Sequence, residues 1–460
     1  MTPNTVVAGS AGALAAPDRP LLAAVGADLR IPVVSGGDVG YVNLDHAASS
    51  PALTLVADHL ATVLPYYASV HRGAGYTSSV TSGLYEQARM GVSRFAGARE
   101  TDTVVFTRNT TDALNLLAHC LPRGARVVSL ETEHHANLLP WAMCDHRLVR
   151  AAPTWAQTLR LLERELTSAP VHLLAITGAS NVTGEVVPVA EVVRLAHEHG
   201  ARVVVDGAQV VPHRRFSLAS SGVDYVAFSG HKLYAPYGAG ALVGPRDWLD
   251  AATPYLRGGG AVREVGIEHT SWAAAPERHE AGTPNVLGVA ALARACEVLG
   301  ELDPEHWARH EQALRVRLED GLRTIPGVRT LSIWPDLQDA VGIVPFVVDG
   351  FDSGLAAAYL AAECGIGVRS GRFCAHPLLE RLGAPPSGAL RASFGVPSTL
   401  ADIDRLLDAL NGLVTHGPKW TYETVSGRWT PVPDPRPVPQ WAGRATAVSP
   451  CEADRTGGKN

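Results

Sequence analysis

The sequence predicts an α/β protein, with a large domain built on a mostly parallel sheet covered by helices on both faces and a smaller α+β domain after it. Three observations carry this. The chain has 460 residues, more than one hydrophobic core usually organises. Four short runs, "RVVSL" (Arg126–Leu130), "VHLLAIT" (Val171–Thr177), "RVVVD" (Arg202–Asp206) and "YVAFS" (Tyr225–Ser229), are rich in Val, Ile and Leu. Their near-continuous apolarity suits strands buried on both faces. Helical patterns alternate with such runs from Gly83 to Gly200, and strand–helix–strand units build parallel sheets.

In chain order, residues 1–20 are small, polar and Pro-containing and read as a disordered start. Residues 21–60 are expected as an N-terminal segment packing on the small domain, and residues 61–300 as the large domain. Within it, "VPVAEVVRLAHEHG" separates the second and third runs. Pro188 suits a first helical turn and Gly200 a helix end, so this segment is a crossover helix. The texture changes after "ELDPEHWARHEQ". A charged amphipathic helix carries Leu314, Leu318 and Leu322, and a later stripe carries Leu400, Ile403, Leu407 and Leu410. Residues 301–415 are therefore assigned to the smaller domain. Residues 416–460 are Pro-rich and polar and read as an extended tail, although Trp420, Trp429 and Trp441 are aromatics of the kind that dock.

Net charge is −6 with both signs interspersed, which is no footprint for nucleic acid. The apolar runs are too short and interrupted for a transmembrane span. No Lys or Arg precedes Arg19, which argues against a secretory signal. Six cysteines without regular spacing make no disulfide framework. A reducing cytoplasm is the expected setting.

"SGHKLYAPYGAG" (Ser229–Gly240) places Lys232 where the chain enters a core. A desolvated lysine has a lowered pKa and can attack a carbonyl to form a Schiff base. Asp206 ends "RVVVD" at the C-terminal tip of a predicted parallel strand, where open α/β sheets hold ligands. "TRNTTDALNLL" puts Asn109, Thr110 and Thr111 at a helix start, with N–H groups and hydroxyls available to an anion. Ser229 and His231 can add donors. Taken singly, "NTT" is a simple N-cap and Lys232 a turn lysine. Together they supply the lysine, the acid partner for a ring nitrogen and the phosphate cradle that pyridoxal phosphate requires. The His134–His135 pair is followed by no Cys or His at metal spacing, so no metal is expected.

At these residues the chain resembles the group II cysteine desulfurases of the class V aminotransferase fold, a branch that includes selenocysteine lyases. "YVNLDHAASSP", "VHRGAGYTSS", "FTRNTTDALNL", "ETEHHANLLPW", "ASNVTGEV", "VDGAQ", "FSGHKLYAPYGAG", "HEAGTPN" and "LRASFG" follow in the family's order from about Val42 to Leu410. The resemblance implies the type I fold of PLP-dependent transferases. It implies that Lys232 bonds the cofactor, Asp206 partners its ring nitrogen, Gln209 meets its phenolic oxygen and His134 stacks on its ring. Thr110, Thr111, Ser229 and His231 would hold the phosphate, and Thr283 would reach the phosphate of a neighbouring subunit in a homodimer. Asn181, Arg369 and Arg391 would bind the substrate carboxylate; Arg suits this through its planar fork.

"GVRSGRFCAHPLL" holds Cys374 and is similar to the family's catalytic loop, with Arg372 and Phe373 where His residues are common. Arg369, Arg372 and His376 lie near it in sequence, and cationic neighbours favour the reactive thiolate. Cys120, Cys144, Cys296 and Cys364 lie in apolar or helical contexts and read as packing residues. The implied reaction converts L-cysteine to L-alanine and leaves the sulfur on Cys374 as a persulfide, for a thiol or a protein acceptor. Selenocysteine is a second implied substrate. Two alternatives stay open: another class V lyase (C–S lyase, β-eliminating enzyme or epimerase) in which Cys374 is no nucleophile, and a non-enzymatic scaffold. Fold alone does not choose among them.

Overall fold

The computed structural model of the protein describes residues 18–443. The large domain is centred on seven strands: β1 (Asp102–Thr107), β2 (Arg126–Leu130), β3 (Asp145–Val149), β4 (Leu173–Thr177), β5 (Arg202–Asp206), β6 (Tyr225–Ser229) and β7 (Gly240–Pro245). Their spatial order is β1-β7-β6-β5-β4-β2-β3. β7 is antiparallel to both its neighbours, and the pairs from β6 across to β3 are parallel.

Strand side chains alternate between two cores. Val203, Val205 and Val226 face one side, where Ala88 of α2 (Tyr76–Phe95), Leu162 of α4 (Trp155–Ser168), Val192 of α5 (Val189–Glu198) and Leu292 of α6 (Val286–Gly300) pack; α1 (Thr54–Val63) adds Val56 and Leu60. Val127, Leu173, Val204 and Ala227 face the other, against Ala113, Leu114 and Leu117 of α3 (Thr110–Cys120). Each buried Val or Leu side chain among these contributes on the order of 1.5–3 kcal/mol. The crossover helix expected from Pro188 to Gly200 is α5, with Pro188 at its N-cap and Gly200 at φ +75° beyond its end.

The sequence reading does not resolve β1, β3 or β7. β3, "DHRLV", is an edge strand with only Val149 buried; edges carry charge rather than a continuous apolar run. β7, "GALVGP", is fully apolar but begins at a glycine and ends at a proline.

The smaller domain holds β8 (Val328–Thr330), β9 (Ile343–Val348), β10 (Arg369–Gly371) and β11 (Ala389–Ser393) in the antiparallel order β8-β9-β11-β10. Around it lie α7 (Pro304–Thr324), α8 (Ser353–Cys364), α9 (His376–Arg381) and α10 (Leu400–His416). Leu314, Leu318 and Leu322 of α7 and Ile403, Leu407 and Leu410 of α10 share its core, whereas Trp307, two turns earlier on α7, belongs to the large core. Val42–Asn43 pairs in parallel with Ile366–Gly367, and Leu21 N–H donates to Val396 O at 2.8 Å.

The segment after His416 differs from a uniformly extended tail. Tyr422–Val425 and Arg428–Pro431 form a hairpin against α8. Trp429 Nε1 donates to Asp352 Oδ1 at 3.0 Å, and Tyr422 OH to Glu363 Oε1 at 3.0 Å. The aromatic rings hold it there by combining apolar area with a donor. Trp441, in contrast, is 89% exposed. Most of the N-terminal stretch read as disordered, residues 1–17, lies outside the described residues. Among the described residues no helix is long and apolar enough to cross a membrane.

Candidate active site

Three adjacent strands, β4, β5 and β6, end at Thr177, Asp206 and Ser229, and all three residues line one cavity of about 270 Å³. Open parallel sheets bind ligands at these strand ends because backbone groups there lack sheet partners and helix N-termini converge.

Lys232 lies on the single turn Gly230–Lys232 directly after β6. Ser50 fixes that turn. Its N–H and hydroxyl donate to His231 O at 2.9 and 3.2 Å, and its Oγ accepts Tyr234 N–H at 2.8 Å. Burial pushes the Lys232 ammonium down to about 8, against the opposing pull of Asp206. The neutral amine, which is the nucleophilic and basic form, is thus accessible near neutral pH. Asp206 is 3% exposed and accepts the Ala208 N–H at 2.9 Å. Burial raises its carboxyl, while the Ala208 N–H and Lys232 act to hold it ionised.

On the facing wall α3 begins. Asn109 caps it by accepting Asp112 N–H at 3.0 Å. Thr110 N–H donates to Ser229 Oγ at 2.7 Å, and the two hydroxyls meet at 2.7 Å. Thr111 and His231 also line the cavity. Gly240, at the start of β7, allows this approach: a Cβ there would stand 2.7 Å from Asn109 Cα. Helix dipole, N–H groups and hydroxyls together favour an anion here.

His134 lines the same cavity. Its Nδ1 accepts Ala136 N–H at 3.0 Å, which leaves the ring proton on Nε2. Burial lowers its pKa to about 3, with Lys232 adding to the shift, so the ring is neutral. Gln209, 3% exposed, donates to Ala47 O at 2.8 Å, while its Oε1 has no hydrogen-bond partner among the described residues. An aldehyde-reactive lysine, a buried carboxylate, a flat neutral ring, an anion cradle and an unsatisfied buried amide fit the pyridoxal phosphate that the resemblance implies.

The small domain adds two arginines to the cavity lining. Arg391 on β11 is 3% exposed. It donates to Asn181 O at 2.8 Å and to Asp45 Oδ1 at 3.1 Å, and its buried Nε has no partner among the described residues. Arg369, its cross-strand neighbour on β10, also lines the cavity. Burial lowers the Arg391 pKa and Asp45 opposes this.

Cys374 lines the cavity beside Phe373. Ala375 N–H closes a turn onto Arg372 O at 3.0 Å, and its two central residues, Phe373 and Cys374, have φ of +52° and +53°. Turns of this kind favour Asn and Gly, and side-chain-bearing residues there cost on the order of 1–2 kcal/mol each. Two of the cations near this cysteine in sequence stand outside the cavity lining. Arg372 is exposed, and neither it nor His376 lines the cavity; the His376 ring packs edge-on against His135 at 4.8 Å. Lys232 and Arg391, both distant in sequence, are electrostatically coupled to Cys374.

Of the residues assigned from sequence to the cofactor, the substrate or catalysis, all but Thr283 line this cavity; Thr283 is exposed and outside it. Asp45, Ser50 and Phe373 were not singled out as site residues. Asp45 and Ser50 lie within the quoted "YVNLDHAASSP", and their pairing with Arg391 and His231 across the fold carries no local signal. Among the described residues no group of three or more His, Cys, Asp or Glu side chains is arranged to hold a metal ion.

Residues 42–406 match the family described as aminotransferase class-V. The chain is 38% identical to a probable cysteine desulfurase of Pseudomonas aeruginosa, over 81% of this chain and 93% of that one. It is 35% identical to a probable cysteine desulfurase of Mycolicibacterium paratuberculosis, over 81% of this chain but only 55% of that longer protein. Among solved structures, it resembles the cysteine desulfurase CsdA from Escherichia coli, with a TM-score of 0.71 and 34% identity over 81% of this chain and 94% of that one.

Proposed function

The chain belongs to the aminotransferase class-V family, and on that premise we propose that it is a pyridoxal phosphate-dependent cysteine desulfurase that converts L-cysteine to L-alanine and takes the sulfur onto Cys374. The observation that carries this reading is the sharing of one cavity by Lys232, Asp206, Arg391 and Cys374.

Lys232, Asp206, Gln209, His134, Thr110, Thr111, Ser229 and His231 would hold the cofactor. When bound, pyridoxal phosphate supplies an electron sink for the electrons released as the substrate loses its α-proton. Arg391 offers its open Nε edge to the substrate carboxylate, with Arg369 and Asn181 alongside. Two charge-assisted bonds from one planar fork fix the amino acid's orientation. The Lys232 amine, neutral above about pH 8, moves the proton at the substrate α-carbon. Asp206 holds a proton at the ring nitrogen. The Cys374 thiolate attacks the substrate sulfur. A sulfur–sulfur bond forms, the carbon–sulfur bond breaks with its electron pair going to the β-carbon, and the substrate's thiol proton is released; protonation of the β-carbon and return of a proton to the α-carbon by Lys232 then give alanine. A thiol acceptor then removes the sulfur from Cys374. We assign selenocysteine as a second substrate, since selenium leaves more readily than sulfur. A homodimer is part of the proposal: Tyr66 and Tyr67 are exposed beside an apolar hollow of about 230 Å³ that includes Val286 and Leu287, close after Thr283 in the chain.

The test compares wild type with Cys374→Ala, measuring alanine against pyruvate from L-cysteine. We expect the variant to keep the cofactor and lose alanine formation by several orders of magnitude. Pyruvate as the product, with the variant still active, identifies a β-eliminating lyase instead.

A further inference from the structure

The turn that carries Cys374 is tied to the residues that would hold the substrate carboxylate. Asn181 Nδ2 donates to the carbonyl of Phe373 at 2.8 Å. The Arg391 guanidinium lies over the Phe373 ring, 5.1 Å from its centroid, and donates to the Asn181 carbonyl at 2.8 Å. From the opposite side, His135 N–H donates to the carbonyl of Cys374 at 3.0 Å. Both central residues of the turn are left-handed, a conformation that persists only where the surroundings over-determine it. Phe373 is 6% exposed, so its ring is part of those surroundings.

We infer that Phe373 is a positioning residue that holds the Cys374 sulfur in register with the substrate, by anchoring the cysteine's turn to the carboxylate-binding pair Asn181 and Arg391. The inference rests on the desulfurase reading. An amide nitrogen has two hydrogens. With one on the Phe373 carbonyl, Asn181 keeps the other for the substrate carboxylate, so a single rigid group spans substrate and nucleophile. The Phe373 ring meanwhile caps the face of Arg391, a cation–π contact that excludes water from the guanidinium and locks the turn against it. Misplacing a nucleophile by about 1 Å can cost on the order of 100-fold in rate. Phe373 therefore acts on the sulfur-transfer step rather than on substrate capture.

The test uses the holoenzyme and three variants. Phe373→Leu removes the ring but keeps an apolar side chain, Phe373→Tyr restores the ring, and Asn181→Asp replaces the donor to the Phe373 carbonyl with an acceptor of the same shape. The first readout is the rate at which iodoacetamide alkylates Cys374, followed by mass spectrometry of its peptide. We expect at least about a tenfold acceleration in Phe373→Leu and Asn181→Asp, with Phe373→Tyr within about twofold of wild type. The second is the kinetic split on L-cysteine. Phe373→Leu should lose about 10- to 100-fold in kcat with KM changed less than about threefold. Wild-type alkylation rates in both Phe373→Leu and Asn181→Asp overturn the inference, as does a loss confined to KM. If Phe373→Leu does not fold, Asn181→Asp decides the alkylation arm alone. A wild type that makes no alanine refutes the desulfurase reading, whereas the alkylation contrast still reports on the anchor.

Discussion

Replacing Gly240 by Ala tests how the phosphate end of the cavity is built. The new Cβ would stand 2.7 Å from Asn109 Cα, 2.7 Å from Phe228 O and 3.0 Å from Asn109 C, where ordinary contact begins at 3.4 Å. All three atoms are backbone, so no side chain can swing aside. Gly240 is paired on both flanks, with Thr107 of β1 and Ser229 of β6, so the strand is held and the start of α3 must retreat. That retreat stretches the 2.7 Å bonds from Thr110 N–H and Thr110 Oγ1 to Ser229 Oγ beyond useful hydrogen-bond range. Overpacking of this sort costs about 1–3 kcal/mol of stability. Disrupting a buried donor array costs a similar amount in binding, equivalent to about 10- to 100-fold in cofactor affinity. Fluorescence titration of the cofactor-free protein with pyridoxal phosphate measures the affinity, and urea unfolding measures the stability. Gly83→Ala is the control: it lies within α2 with nothing within 4 Å of its Cβ, so it should leave affinity unchanged. Cofactor affinity in Gly240→Ala within about twofold of wild type would refute the close packing of α3 on β7 as the basis of the cradle.

Acid should destabilise the fold through His46, which is 5% exposed and held by burial at about 3. Its folded pKa lies below the unfolded value, so its contribution is fully present above about pH 6.5 and is lost as pH falls from there toward about 3, by up to about 1.4 kcal/mol per unit. Urea midpoints of His46→Gln should therefore fall less steeply with acid than those of wild type; parallel slopes would contradict this. Truncation after His416 removes the hairpin packed on α8 through Trp429 and Tyr422. It should lower stability by about 1–3 kcal/mol while cofactor affinity stays at the wild-type value, and loss of cofactor binding would make the tail part of the site. Sedimentation should find a dimer at assay concentration, and a fully active monomer would remove Thr283 from the proposed phosphate site.

What the sequence alone determined is local or ordered along the chain. The apolar runs at 126–130, 202–206 and 225–229 coincide with β2, β5 and β6, because strands buried on both faces must be apolar at every position. Asp206 stood out because it ends such a strand, and Lys232 because it lies on the turn that follows one. The family motifs added the remaining site residues one segment at a time. Other features were decided only by the tertiary structure. β3 escaped because an edge strand needs charge, and the hairpin after His416 escaped because its Pro-rich composition reads as extended, although Trp429 was one of the aromatics noted there. Of the cations near Cys374 in sequence, Arg369 lines the same cavity and Arg372 is exposed, while Lys232 and Arg391, distant in sequence, are coupled to it as well. Asp45 on Arg391, Ser50 on His231 and Asn181 on Phe373 each join segments more than 180 residues apart. A hydrogen bond depends on distance and angle in space, and no spacing along one strand of sequence encodes the distance between two segments that meet only when the sheets close.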